Sequence, residues 1–303
     1  MAIKSISVIG LGEMGTPITG FLLKAGYEVK GYDVRANRVT DLIAKGLTSA
    51  NSPKDAAAGS NLVILSLPSW AVVREVVEGK DGVLETAEKG QIIIDCSTVP
   101  PHETRAMARR LSEKGIHWMD VPISGAATQA REGNMVFMAG GERMVFDQVK
   151  PVLDKVGKKT VYAGKNGDGA MLKLVVNLVL FLNQAAAVEG LTLGLKAGLN
   201  PEVLHDVLVS GAAESDLIRT RGKNMLAGNF EPKGALWIGV KDLALALEAA
   251  KTTGVACPMG GLYQQILLSA HNRGWDDLDA TVAMRIYEEL AGIKSNTLEV
   301  KPS

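Results

Sequence analysis

Residues 5–33 read SISVIGLGEMGTPITGFLLKAGYEVKGYD, and this stretch decides how the first half of the chain folds. A short β-rich run at residues 6–9 leads into GLGEMG at residues 10–15, and a helical segment then continues to about Ala25. A strand, the pattern G-x-G-x-x-G and a helix in this order are typical of a dinucleotide-binding turn. The pyrophosphate would lie at the helix N-terminus, where unpaired N–H groups and the helix dipole favour an anion. A turn that merely packs is the alternative interpretation.

Each glycine of this turn has a separate task. The first permits the tight turn, the second lets the backbone approach the pyrophosphate, and the third allows the helix to pack closely on the strand. The cofactor contacts predicted from the turn are Gly10, Leu11, Gly12, Glu13, Met14 and Gly15.

The end of the second predicted strand bears on the choice of cofactor. This strand ends at Asp33, 18 residues after Gly15. An acid at this place accepts hydrogen bonds from the ribose hydroxyls of NAD and repels the additional phosphate of NADP. Arg35 and Arg38 follow closely and can accommodate a phosphate. The sequence therefore predicts NAD, with NADP possible.

Continuous apolar runs at residues 62–67 and 91–95 predict strands of a parallel sheet that is covered on both faces. Ligands of open α/β sheets bind beyond the carboxyl ends of the strands. Leu67, Pro68 and Thr98 are therefore predicted cofactor contacts, with helix capping as the alternative for Thr98. For Ser97 the sequence favours capping of the next helix.

A cradle for an anion is predicted after the strand at residues 117–120. The sequence continues there as Val-Pro-Ile followed by Ser124, Gly125 and Ala126. Small residues leave backbone N–H groups accessible to a carboxylate, and Ser124 adds a hydroxyl donor. Two more strand-like runs and a helix complete a Rossmann-type doubly wound parallel α/β sheet, which we expect to occupy residues 1–163.

The composition excludes several classes of function. The 303 residues suffice for two domains, and 33 basic residues balance 33 acidic ones. No long run of like charge suggests a nucleic-acid or membrane-surface partner. Cys96 and Cys257 are too few for a disulfide framework or a zinc cluster, so no metal is predicted. The N-terminal segment lacks the layout of a signal peptide, and we expect a cytoplasmic protein.

Residues 164–189 read GKNGDGAMLKLVVNLVLFLNQAAAVE, a glycine-rich turn followed by a long apolar helix. Lys173 and Asn177 lie four residues apart and therefore on one face of this helix. A lysine in such a segment is costly unless it is paired or used, and burial would lower its pKa. The alternative is that Lys173 extends from a helix end into solvent.

The apolar run at residues 174–188 is shorter than the roughly 20 residues that a membrane span requires. We interpret it as a buried helix at a domain or subunit interface. The rest of the chain is predicted to be helical, so residues 164–303 form an all-α domain for substrate binding and oligomerisation. Several of its helices carry little charge, which predicts a homodimer or homotetramer.

Four separated blocks together resemble the β-hydroxyacid dehydrogenase family, which includes 3-hydroxyisobutyrate dehydrogenase and the tartronate, glyoxylate and succinic semialdehyde reductases. The blocks are residues 10–15, 120–125, 164–177 and 241–243. The resemblance implies an NAD(P)-dependent oxidoreductase that interconverts a small carboxylate-bearing β-hydroxyacid and its semialdehyde by hydride transfer.

The resemblance also implies roles for individual residues. Lys173 corresponds to the general acid/base of the family, and Asn177 corresponds to the residue that orients the substrate. Ser124 and Gly125, with Ala126 next to them, hold the substrate carboxylate, and Lys241 closes over the nicotinamide side. The chemistry of the residues agrees, because a lysine with a lowered pKa can remove the hydroxyl proton during oxidation and return it during reduction.

Departures from the family pattern narrow the reaction. Decarboxylating relatives carry a histidine three residues and an acid seven residues after the lysine, where this chain has Val176 and Leu180. Simple hydride transfer is therefore favoured. Gly234 stands where many relatives have an aromatic residue near the substrate, and the nearby Trp237 can fill the space.

Two alternatives remain open at this point. The anion cradle recognises charge and shape, so a reductase of a larger or sulfonated aldehyde is one of them. The other is a dinucleotide-binding module without catalytic activity. Retention of both Lys173 and Asn177 argues against the module, because a scaffold would be more stable with apolar residues there.

Overall fold

A computed structural model describes residues 3–293 of the chain. The chain divides into two compact units, and the division falls between Lys173 and Leu174, within one long helix.

Over its described residues, 3–173, the first unit is built on a nine-stranded sheet with helices on its faces. Its strands are β1 (Ser5–Ile9), β2 (Glu28–Tyr32), β3 (Thr48–Ser49), β4 (Leu62–Leu65), β5 (Ile92–Asp95), β6 (His117–Asp120), β7 (Ile123–Ser124), β8 (Val136–Gly140) and β9 (Lys159–Gly164). Its helices are α1 (Gly15–Lys24), α2 (Ala36–Ile43), α3 (Pro53–Ala57), α4 (Trp70–Glu78), α5 (Pro101–Glu113), α6 (Ala127–Arg131) and α7 (Arg143–Leu153), and a 3₁₀ turn covers Val83–Glu85.

The sheet has the order β3-β2-β1-β4-β5-β6-β8-β7, and β9 pairs with β8. The strands from β3 to β6 are parallel, which is the strand order of a doubly wound dinucleotide-binding domain. The predicted fold class is therefore confirmed. The short strand β7, which carries the predicted anion cradle, runs antiparallel to β8.

The apolar runs are explained by burial on both faces of the sheet. In β4, Leu62 and Ile64 belong to the core on one face, while Val63 and Leu65 belong to the core on the other. All four side chains are at most 1% exposed. Because successive side chains of a strand point to opposite faces, a strand covered on both sides has no polar alternation.

The second unit is helical over the residues that the structure describes. The long helix α8 (Asp168–Lys196) enters it and is followed by α9 (Pro201–Ser210), α10 (Asp216–Leu226), α11 (Leu236–Thr253), α12 (Pro258–His271), a 3₁₀ turn (Ala280–Ala283) and α13 (Met284–Leu290). The core of this unit includes Phe181, Val188 and Leu191 from α8 and Tyr263 and Leu267 from α12.

The helix α8 is long and apolar enough to cross a membrane by length and composition. One such helix is weak evidence of a span, because core helices of soluble proteins pass the same test. In this helix, one apolar face is buried in the second unit, while Val175, Val179 and Leu193 on another face are 50%, 54% and 71% exposed.

Candidate active site

The glycine turn between β1 and α1 has the geometry that a pyrophosphate requires. Gly10 has a φ of 91°, and a Cβ atom on Gly15 would lie 1.8 Å from the carbonyl oxygen of Gly10. Neither position tolerates a side chain without a shift of the backbone. No side chain caps the N-terminus of α1. The N–H of Thr16 donates to the carbonyl oxygen of Gly12 at 3.0 Å, which closes the turn, and the helix dipole favours an anion at this end. The residues present therefore fit a dinucleotide.

The other members of the turn differ in their surroundings. The Leu11 side chain is buried, and Met14 packs against the core of the first unit. The Glu13 carboxylate points outward and pairs with Arg131 at the end of α6 at 2.5 Å. Glu13 can therefore offer its backbone to a cofactor while its side chain contacts the helix that follows the anion cradle.

Asp33 lies beside this turn at the end of β2, and its side chain is 7% exposed. Its carboxylate accepts hydrogen bonds from the N–H of Leu11 at 2.7 Å and from the N–H of Arg35 at 2.8 Å. The carboxylate is thus held in one orientation and retains lone pairs that can accept hydroxyl groups. The guanidinium of Arg38 lies next to the turn, with Nη1 2.7 Å from the place of a Cβ atom on Gly12.

The loops after β4 and β5 are joined by Ser97. Its Oγ accepts a hydrogen bond from the N–H of Leu67 at 3.0 Å, next to Pro68. The prediction that Ser97 caps the following helix was wrong, because α5 begins at Pro101 and its N-cap residue, Pro100, has no capping side chain. Thr98 does not occupy the N-cap position of α5 either, and it is half-buried in the same loop.

The predicted anion cradle follows β7. Ser124, Gly125 and Ala126 are all half-buried. The N–H of Ala126 donates to Oε1 of Gln129 at 2.8 Å, so this backbone donor of the predicted cradle is already engaged. The sequence offered no sign of this contact, because a glutamine three residues along is also common on helix surfaces.

A buried acid lies four residues before Ser124 of the cradle. Asp120 is fully buried at the end of β6, and its carboxylate accepts the N–H groups of Gly167 and Ala170 at 2.7 and 2.8 Å. Burial raises the pKa of this carboxyl to about 7, while the two backbone hydrogen bonds act in the opposite direction. The first turn of α8 is thus attached to the strand that leads into the cradle. Lys173, which is half-buried, follows Ala170 by three residues.

In the second unit, Asn177 and Lys241 share one carboxylate. Asn177 is 2% exposed, and its Nδ2 donates to Oδ2 of Asp242 at 2.8 Å. The Nζ of Lys241 lies 2.7 Å from Oδ1 of the same residue. Asp242 therefore orients two predicted site residues that are 64 positions apart in the chain.

The space at Gly234 is occupied differently from the sequence-based expectation. The side chain nearest to the place of a Cβ atom on Gly234 is Arg221, whose Nη2 lies at 3.4 Å. Trp237 does not come within 4 Å of that place, and its side chain is 39% exposed. Nη1 of Arg221 donates to Asp279, which holds the guanidinium in position.

Comparison with known proteins identifies the family. Residues 5–164 match the NAD binding domain of 6-phosphogluconate dehydrogenase, and residues 167–287 match the NAD-binding domain of NADP-dependent 3-hydroxyisobutyrate dehydrogenase. The chain is 34% identical to 2-(hydroxymethyl)glutarate dehydrogenase of Eubacterium barkeri, over 96% of this chain and 97% of that protein. It is 32% identical to 2-hydroxy-3-oxopropionate reductase of Escherichia coli K12, over 95% of this chain and 99% of that protein.

Solved structures agree with this assignment. The crystal structure of 3-hydroxyisobutyrate dehydrogenase from Salmonella typhimurium superimposes with a TM-score of 0.86 at 28% identity, and the match covers 93% of this chain and 99% of that one. The comparisons favour the dehydrogenase over both alternatives, the non-catalytic module and the reductase of a larger or sulfonated aldehyde. The chain belongs to the β-hydroxyacid dehydrogenase family and is an NAD(P)-dependent oxidoreductase that interconverts a β-hydroxyacid and its semialdehyde by hydride transfer.

Proposed function

We propose that Lys173 is the general acid/base of this reaction. During oxidation, its amine takes the proton from the substrate hydroxyl, and during reduction it returns a proton to the carbonyl oxygen. When bound, the nicotinamide ring accepts the hydride from the hydroxyl carbon or gives it back. The observation that carries this proposal is the attachment of the first turn of α8 to Asp120. It fixes the helix start three residues before Lys173, and the same strand end leads into the Ser124 cradle.

The remaining site residues have distinct proposed tasks. Ser124 and Gly125 bind the substrate carboxylate through a hydroxyl and backbone N–H groups. The N–H of Ala126 donates to Gln129 instead, and this hydrogen bond holds the loop of the cradle in place. Asn177 orients the substrate oxygen. Its side chain is suited to this task because Asp242 holds the amide in one orientation.

For the cofactor we propose a preference for NAD over NADP. The carboxylate of Asp33 is fixed by two backbone N–H groups and opposes an additional phosphate on the ribose. The proposed contacts are the glycine turn at residues 10–15, Asp33, Leu67, Pro68, Thr98 and Lys241. The dinucleotide-binding domain is proposed to end at residue 163, one residue before the end of β9, whereas the two compact units divide after Lys173.

A substrate with a second anionic group is a further candidate within this reaction. The guanidinium of Arg221, which is paired with Asp279, lies beside Gly234. A relative at 34% identity is named for glutarate chemistry, and a glutarate carries two carboxylates. Within the hydroxyacid reaction, these observations support a dicarboxylic β-hydroxyacid such as 2-(hydroxymethyl)glutarate as a substrate to test.

The test is a substrate panel read by NADH absorbance. It includes C2–C4 semialdehydes, 3-hydroxyacids, 2-(hydroxymethyl)glutarate and sulfonated aldehydes, each with NAD(H) and NADP(H). We expect turnover with a carboxylate-bearing substrate, and Lys173→Ala should abolish it while NADH still binds. Turnover at the wild-type rate in Lys173→Ala would rule out the proposed acid/base.

We also propose that a second copy of the chain covers the exposed apolar face of α8. Val175 and Val179 lie one turn apart on this face, and Val203 and Val207 of α9 are 62% and 63% exposed. The side chains are uncharged, so the same face on two copies can pack together without unpaired charges. The proposed state is a homodimer or homotetramer.

Light scattering after size-exclusion chromatography tests the proposed assembly. Val179→Glu should shift the protein towards the monomer. Met144→Glu is the matched control, because Met144 is 73% exposed on α7 in the first unit. An unchanged mass for Val179→Glu would contradict the assembly.

We further propose a cytoplasmic protein that binds neither nucleic acid nor membranes. The balanced charge of 33 basic and 33 acidic residues and the two free cysteines support this proposal.

A further inference from the structure

We propose that Asp120 is a positioning residue that sets the place of Lys173 relative to the Ser124–Gly125 cradle. This inference rests on the proposed role of Lys173 as the acid/base. It assigns a task in the reaction to a buried acid that contributes no atom to the proposed substrate or cofactor contacts.

The first step of the argument is the pattern of hydrogen bonds at the carboxylate. Each oxygen of Asp120 accepts one N–H from the start of α8, Gly167 at one oxygen and Ala170 at the other. Two hydrogen bonds to one planar group fix both the position of the helix end and its rotation about its own axis. A single contact would leave the rotation free.

The second step is the close approach of the helix to the sheet. A Cβ atom on Gly169 would lie 2.4 Å from the carbonyl oxygen of Met138 and 2.6 Å from that of Asp120. A Cβ atom on Gly140 of β8 would lie 2.7 Å from Oδ2 of Asp120 and 2.7 Å from the nitrogen of Gly169. Backbone therefore touches backbone here, and Nδ2 of Asn166 adds a hydrogen bond to the carbonyl oxygen of Trp118 at 2.7 Å.

The third step is the short path from this contact to the chemistry. Lys173 follows Ala170 by three residues, which is about 4.5 Å along a helix axis. On the other side, Ser124 follows Asp120 by four residues and is held by the pairing of β7 with β8. If the start of α8 moves, Lys173 moves with it by nearly the same distance. The Ser124–Gly125 cradle does not move, because it is attached to the sheet.

The two acceptor oxygens explain why a carboxyl group, and no amide, suits this task, although the surroundings oppose its charge. Burial opposes the charge, and Asp95 on the neighbouring strand β5 adds repulsion. The helix N-terminus and its two N–H donors offset part of this cost. An asparagine would present only one acceptor oxygen, so its NH₂ group would face an N–H donor. Nearby, Arg105 of α5 donates to the carbonyl oxygen of Asn166 and lies 3.5 Å from Asp168.

The test compares Asp120→Asn with the matched control Thr104→Val. The control removes the buried hydrogen bond from Nε1 of Trp118 to Oγ1 of Thr104 in the same unit. It leaves the carboxylate of Asp120 and its two N–H donors unchanged. We expect Asp120→Asn to lower kcat by about 10- to 100-fold, because misplacements of about 1 Å have effects of this size. KM for the hydroxyacid and Kd for NADH should stay within about threefold. The solvent deuterium isotope effect on kcat should rise, because proton transfer becomes slow, and Thr104→Val should show neither change.

Gly169→Ala provides a second variant that keeps the carboxylate and moves the helix. It should reproduce the loss of kcat and the larger isotope effect. If Asp120→Asn does not fold, this variant tests the proposed positioning role of Asp120. Wild-type kcat and isotope effects in the folded variants would overturn the proposal. Failure of the underlying function is distinguishable, because it would appear as turnover in Lys173→Ala or as a wild-type protein inactive on the whole substrate panel.

Discussion

Two glycines on the same helix provide a sharp test of the cofactor site. Gly15 and Gly20 both belong to α1, five residues apart. A Cβ atom on Gly15 would lie 1.8 Å from the carbonyl oxygen of Gly10, whereas a Cβ atom on Gly20 would meet no atom within 4 Å. Replacement of each by alanine adds the same methyl group to the same helix. We expect opposite effects.

The magnitudes follow from these distances. The Gly15 contact is about 1.2 Å inside the 3.0 Å limit below which Cβ contacts are essentially never found. The turn must therefore open, which costs about 1–3 kcal/mol of unfolding free energy and withdraws backbone N–H groups from the pyrophosphate. Alanine at position 20 removes a helical glycine in open space and should stabilise the protein by about 0.5–1 kcal/mol.

Thermal unfolding and fluorescence titration with NADH measure both effects. Gly15→Ala should raise Kd for NADH at least about tenfold, equivalent to about 1.4 kcal/mol of binding free energy, and should lower Tm. Gly20→Ala should leave Kd unchanged and raise Tm by about 1–3 °C. A Gly15→Ala variant that binds NADH within about twofold of the wild type would refute the assignment of this turn to the pyrophosphate.

Three further predictions concern acids. Asp33→Ser should reduce the preference for NADH over NADPH, measured as the ratio of kcat/KM values, by about tenfold or more, and an unchanged ratio would contradict the role of the carboxylate. Burial raises the pKa of Asp120 from 3.8 to about 7, so the folded state holds a proton that the unfolded state has released between these values. The unfolding free energy of the wild type relative to Asp120→Asn should therefore fall by about 1.4 kcal/mol per pH unit between the two pKa values, from 3.8 to about 7, and then level off. Urea unfolding at several pH values measures this difference. A difference that stays constant with pH would contradict the raised pKa. Asp242→Asn should raise KM for the hydroxyacid because it releases Asn177 and Lys241, and steady-state kinetics with an unchanged KM would show that neither residue depends on this carboxylate.

The glycine turn and the apolar strands could be predicted from the sequence because their determinants are local. Gly10 adopts a positive φ within a turn whose neighbouring residues are adjacent in the chain. The four side chains of β4 are all apolar because both faces of the sheet are covered, and a run of this kind is visible in one short window. The same holds for the position of Lys173 and Asn177 on one helix face, which follows from the helical repeat alone.

The contacts of the polar side chains at the site could not be predicted in this way. Ser97 has the residue type and position of a helix cap, yet it accepts the N–H of Leu67, 30 residues earlier. Arg221 lies beside Gly234, although Trp237 is nearer in the chain. In both cases several partners are compatible with the local sequence, and the choice depends on which loops the packed strands and helices bring together.

Asp120 shows most clearly which properties follow from the sequence and which follow only from the tertiary structure. From the sequence alone, it is an acid at the end of a strand in a block that resembles a known family. Sheet pairing places it against Gly140, and residues 164–170 bring two N–H groups onto its carboxylate. The sequence by itself determined the elements, the cofactor turn and the residue types of the site, because backbone conformation and periodic burial are short-range properties. Only the tertiary structure decided which buried acid holds the start of α8, the helix that carries Lys173. The two hydrogen bonds that do so join residues 47 and 50 positions apart in the chain.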